Sequence, residues 1–145
     1  MLEKAVFMTK AKNIEVTPEL ITNNEELSDF MHAANQGAAS AQYILGVIYD
    51  TGVIVDQNYK EAVFWYLQAA KQRYKEAEFA LGTMYAEGSG VMQSDVLALM
   101  WYYAADKNGY TKSRDQINIV AKRMAPEDIQ RARVMSVQPL NCIKS

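Results

Sequence analysis

Between residues 38 and 51 the apolar positions trace one helical stripe. Ala41, Leu45 and Tyr49 recur every four residues, with Ile44 and Ile48 beside them. Gly52 follows directly, where helices are commonly stopped by a residue that tolerates positive φ. A short linker, Val53 to Asn58, leads into a second stripe in which Ala62, Trp65, Tyr66 and Ala69 hold positions i, i+3, i+4 and i+7. The pattern predicts a helical hairpin.

The hairpin is then repeated. Residues 37–72 and 73–108 align at an offset of 36 without a gap, and 12 of the 36 positions are identical. They are Ala41/Ala77, Leu45/Leu81, Gly46/Gly82, Tyr49/Tyr85, Gly52/Gly88, Val55/Val91, Gln57/Gln93, Ala62/Ala98, Trp65/Trp101, Tyr66/Tyr102, Ala69/Ala105 and Lys71/Lys107. A period of this length is the signature of stacked repeats, whose function resides on a surface. The second unit should therefore hold helices at about 75–87 and 95–107, with Gly88-Ser89-Gly90 as the turn between them. Gly46 and Gly82 lie mid-helix, where glycine costs about 1 kcal/mol relative to alanine. A recurring cost suggests close helix contact, with Trp65 and Trp101 expected to lie across the gap. The repeated alanines would let the helices approach.

Partial repeats flank the two units. Asn24 to Gly37 reads as a second-type helix, with Phe30 in the place of Tyr66. Thr17-Pro18-Glu19 resembles a helix start, while residues 1–16 do not fit the pattern. Residues 110–123 read as a further first-type helix with Ile117 in the place of Leu45, and Ala125-Pro126 opens a last helix reaching about Val134. The organisation is then an extension or degenerate first helix at 1–22, a repeat domain at 23–135 and a tail at 136–145. Residues 1–22 are compatible with a cap, a swapped arm or a disordered tail.

Length and charge narrow the picture. At 145 residues, half of them hydrophobic and with net charge −2, the chain is one globular domain by size. No apolar run approaches a membrane span. The apolar stretch near the start is too short for a signal peptide, so a cytoplasmic location is expected. The single cysteine, Cys142, excludes an intramolecular disulfide and a cysteine-rich metal site. Residues 1–105 hold 7 Lys/Arg and 13 Asp/Glu, whereas 106–145 hold 8 and 4. In a quasi-linear array this makes an acidic body with a basic end. That end reads either as a solvated face or as a docking end for an acidic partner or a second copy. Its basic residues are not interleaved with aromatics, which argues against nucleic acid.

The string Ala41-Gln42-x-x-Leu45-Gly46-x-x-Tyr49-x-x-Gly52-x-x-Val55, then Ala62-x-x-Trp65-Tyr66-x-x-Ala69-Ala70, resembles the Sel1-like repeat (SLR), a relative of the tetratricopeptide repeat. Residues 77–105 match it again, and the resemblance covers roughly 23–135. Three departures stand out: Ile54 for the second turn glycine, Asp106 for a closing alanine, and Arg73 where Gly37 and Gly109 stand. The resemblance implies an all-α fold, a short right-handed α-solenoid of antiparallel helical hairpins. It also implies a non-enzymatic protein–protein interaction module, an adaptor or scaffold without cofactor or metal.

In such repeats the first helix of each hairpin lines the concave face. The candidate partner-binding positions are therefore Ser40, Tyr43, Val47 and Asp50, then Glu76, Phe79, Thr83, Ala86 and Glu87, then Lys112, Asp115, Ile119 and Lys122. Tyr43, Val47, Phe79 and Ile119 would form an apolar strip suited to an amphipathic helix or an extended peptide. The competing reading packs these residues against adjacent hairpins.

Catalytic parts are few. His32 is the only histidine and aligns with Gln68 and Ala104, a position without apolar demand. A Cys142–His32 dyad would need opposite ends of the array to meet. Carboxylates are scattered, without metal-ligand spacing. The repeated aromatics sit at core spacing, and the methionines suit gap filling. Two further classes stay open: an inhibitor or immunity-type protein that neutralises a bacterial toxin or enzyme, and a regulator acting through self-association.

Overall fold

A computed structural model describes residues 24–142. It holds α1 (Asn24–Asn35), α2 (Ala39–Thr51), α3 (Tyr59–Lys71), α4 (Lys75–Glu87), α5 (Asp95–Lys107), α6 (Ser113–Ala121) and α7 (Pro126–Met135), then a 3₁₀ turn at Pro139–Cys142. Among the described residues there is no strand, and no helix is long and apolar enough to cross a membrane. The expected helix start at Thr17-Pro18-Glu19 and the whole of segment 1–22 lie outside the described residues.

Helix α2 packs on α3 and α4 on α5, the two hairpins that the period of 36 predicts. Weaker contacts between α1 and α2, α3 and α4, and α5 and α6 join them into a short α-solenoid. The first helices stop at Gly52 and Gly88, with φ of 69° and 73°, each donating its N–H back to the helix. The second helices start at Asn58 and Ser94, whose side chains accept from the N–H groups of Glu61 and Leu97 at 3.1 and 3.2 Å. The identical Gln57 and Gln93 fasten the turns, reaching the carbonyls of Asp50 and Ala86.

The mid-helix glycines do mark close contact, but the partner differs from expectation. A Cβ on Gly46 would stand 2.4 Å from the Tyr66 ring, and one on Gly82 would stand 2.6 Å from Tyr102. Tyrosine, not tryptophan, fills the gap. Trp65 and Trp101 precede these tyrosines by one residue, a third of a helical turn away, so they aim at other neighbours. Trp101 is fully buried in the main core, whereas Trp65 is half-buried against the N-terminal cluster around Phe30, Leu45 and Ile48.

The departures from the repeat pattern also have local causes. A Cβ on Gly90 would meet the Tyr59 carbonyl oxygen at 2.5 Å, because this turn lies directly on the start of α3. Ile54, its counterpart, packs against the N-terminal cluster instead. Asp106 pairs with Arg114 at 2.8 Å. Arg73 keeps the left-handed backbone of Gly37 and Gly109, with φ of 61° against 93° and 96°. Its guanidinium binds the fully buried Glu78 at 3.1 Å, which helps offset the strain of a non-glycine residue there. Asn108 joins this group, donating to Glu78 at 3.0 Å and to the Arg73 carbonyl. In the preceding unit Gln72 does the same, reaching Gln42 at 3.0 Å and the Gly37 carbonyl at 2.8 Å.

The C-terminal end departs from a simple hairpin. Helix α7 packs on α5, with Ala132 fully buried between them. Arg133 donates to the Tyr103 hydroxyl at 3.1 Å, and Lys107 donates to Ser136 at 3.0 Å. Leu140 of the closing turn reaches the main core. Helix α5 is thereby enclosed, with Leu99, Met100 and Trp101 fully buried. The equivalent stretch of α3 carries Phe64, which is half exposed.

Candidate interaction surface

Two aromatic sets, one repeat apart, line the first-helix side. Tyr43 of α2 stacks on Tyr66 and Tyr74, with ring centroids 5.8 and 5.4 Å apart. Phe79 of α4 stacks on Tyr102 and Tyr110 at 5.4 and 5.0 Å. Tyr66 and Tyr102 are buried, and each hydroxyl meets a first-helix polar group. Tyr66 donates to Asp50 at 3.0 Å, and Tyr102 shares a hydrogen bond with Thr83 at 3.0 Å. Lys112 closes the row with its Nζ 6.0 Å from the Tyr110 ring centroid.

Burial grades the candidate residues. Ser40, Tyr43, Val47, Asp50, Glu76, Phe79, Thr83 and Ala86 are half-buried. Tyr43, Val47 and Phe79 lean on the main core, so each serves packing while presenting part of its surface. Glu87, Lys112, Asp115, Ile119 and Lys122 are exposed, Ile119 by 53%. Tyr43 and Asp50 therefore meet around Tyr66, and Phe79 and Thr83 meet around Tyr102. Asp115, Ile119 and Lys122 stand on α6 at the register of Tyr43, Val47 and Asp50, without a ring contact of their own. Tyr74 and Tyr110 were not among the sequence candidates. Their signal was present, since they too are separated by 36 residues.

Burial shapes the electrostatics. Desolvation raises the Asp50 carboxyl above its ordinary range, although the Tyr66 hydrogen bond pulls it back. The Tyr66 hydroxyl is raised by burial and by the nearby Asp50 charge. Burial, with Glu76 beside it, pushes Tyr74 up to about 12. The Tyr66 and Tyr74 hydroxyls therefore keep their protons at neutral pH and act as dipoles. His32 is exposed on α1. Among the described residues no group of three His, Cys, Asp or Glu side chains is arranged to hold a metal ion.

A short stack of helical hairpins presenting a row of side chains from its first helices defines a repeat scaffold. More particularly, a model of the Sel1 repeat matches residues 39–74 and 75–110, and the chain belongs to that family. Repeats of this kind generally mediate protein–protein interaction. Among solved structures the chain is similar to a protective antigen with an SLR fold, present in uropathogenic Escherichia coli strains. The TM-score is 0.79 at 26% identity, covering 95% of this chain and 28% of the antigen, so this chain spans little more than a quarter of its length. It is also similar to a Sel1 repeat protein from Oxalobacter formigenes, with TM-score 0.66 and 26% identity over 80% of this chain and 85% of that one. No curated protein matches the sequence significantly.

Proposed function

We propose that the protein is a non-enzymatic adaptor of the bacterial cytoplasm that holds a helix or extended segment of another protein along α2, α4 and α6. The observation that carries this reading is the aromatic row, Tyr66–Tyr43–Tyr74 and Tyr102–Phe79–Tyr110, with the exposed Ile119 beyond it. The half-buried rings among them, Tyr43, Tyr74, Phe79 and Tyr110, supply contact area at low entropic cost. Charged residues at the edges, Glu76 and Glu87 at one end and Lys112 and Lys122 at the other, would set the orientation of the bound segment.

Affinity capture from the host cytosol tests this, using the chain and two variants, Ile119→Asp and Lys122→Glu. Both sites are exposed, so the fold should tolerate the changes. A partner retained by the parent chain and lost by Ile119→Asp supports the reading. Equal retention by all three overturns it. If the retained partner is an enzyme or toxin whose activity falls in the complex, the module works as an inhibitor. Recovery of this chain alone would make it a self-associating regulator.

A further inference from the structure

The two aromatic sets are equivalent in register but differ in what stands beside their outer ring. In the second set Lys112 follows Tyr110 by two residues, and its ammonium lies 6.0 Å from the ring centroid. The repeat offset maps Lys112 onto Glu76 and Tyr110 onto Tyr74. The first set therefore has the aromatic ring of the second but an acid in place of its cation.

The neighbouring cations do not fill that place. The Arg73 guanidinium is drawn to Glu78, 3.1 Å away. Lys75 occupies the register position of Ala39 and Thr111, not that of Lys112. Glu76 makes no ion pair among the described residues, and its charge is close enough to act on the Tyr74 hydroxyl. An aromatic ring with a carboxylate nearby attracts a cation twice over, through the ring quadrupole and through the charge.

Resting on the groove reading above, we infer that Tyr74, Tyr43 and Glu76 form a recognition site for one lysine or arginine side chain of the bound segment. The partner's cation stands on Tyr74 as Lys112 stands on Tyr110, with Glu76 as its counter-charge. The bound segment is then basic where it meets α4's first turn and tolerates acid where it nears Lys112 and Lys122. The acidic balance of residues 1–105, with 13 Asp/Glu against 7 Lys/Arg, favours the same polarity.

The test is selection of a random displayed peptide library on the full chain, followed by affinity measurements on three variants. Ile119→Asp probes the groove, Glu76→Gln removes the counter-charge, and Glu76→Lys supplies the chain's own cation at the Lys112 position. The expected result is a shared lysine or arginine in the selected peptides and a loss of roughly tenfold in Glu76→Lys, smaller in Glu76→Gln. Replacing that lysine or arginine with norleucine should abolish the difference between the parent chain and Glu76→Lys. Peptides weakened by Ile119→Asp but sharing no basic residue, or indifferent to both Glu76 variants, overturn the inference while the groove reading stands. Peptides indifferent to Ile119→Asp as well overturn both. If Glu76→Lys does not fold by circular dichroism, the isosteric Glu76→Gln decides alone. An unchanged affinity there defeats the inference.

Discussion

At the scale of single residues, two positions show how the fold constrains side chains. The Tyr66 ring occupies the space that a Cβ on Gly46 would need. Gly46→Ala gains about 1 kcal/mol of helix propensity but must displace a buried aromatic. The expected net effect is destabilisation of about 1–3 kcal/mol, read from urea unfolding, and a gain in stability would contradict the contact. Glu78 is the second position. Burial raises its carboxyl above the ordinary value of 4.5, outweighing the Asn108 hydrogen bond and the Arg73 charge. A raised acid binds its proton more tightly folded than unfolded, so its contribution is complete below that ordinary value and is lost as pH rises through the raised one. Glu78→Gln, which copies Gln42 of the preceding repeat, should remove this decline from the stability profile above pH 4.5. Asp50 adds a decline of the same sign. Asp95 is lowered by its Arg123 hydrogen bonds and acts oppositely, losing its contribution as pH falls below 3.8. An unchanged profile in Glu78→Gln would count against the burial argument.

At the scale of elements, the hairpins were legible in the sequence and the end was not. Helices α4 and α5 fall at the residues the periodicity predicts, because the apolar stripe, the stopping glycine and the repeat all agree there. Periodicity identifies a face but not which of two adjacent aromatics points at the gap, so it names tryptophan where tyrosine stands. The packing of α7 on α5 was not readable either. Ala132, the polar pair Arg133–Tyr103 and the Lys107–Ser136 hydrogen bond mark that contact, and their α7 partners have no repeat counterpart to compare. The contact is testable through Ala132→Leu, which overfills a fully buried site. It should cost about 1–3 kcal/mol and shift Trp101 emission to the red as α7 lifts. Unchanged emission and stability would mean that α7 does not seal α5.

At the scale of the molecule, the solenoid separates two surfaces. One side carries the first helices α2, α4 and α6 with their aromatic row. On the other, α7 and the closing turn cover α5, while α3 keeps Phe64 half exposed. The candidate site was partly legible, since the register named Tyr43, Phe79 and Ile119. Tyr74 and Tyr110 escape the register because they stand just ahead of α4 and α6, outside the stripes that define the repeat. On the proposed reading the partner lies on the first-helix side. Two exposed apolar residues of similar exposure report on the two sides, Ile119 on α6 at 53% and Phe64 on α3 at 49%. A photo-crosslinking amino acid placed at each position in turn, in the presence of the captured partner, compares them directly. Crosslinks from position 119 and none from position 64 are the predicted result. Crosslinks from position 64 alone would place the interface on the second helices and contradict the account.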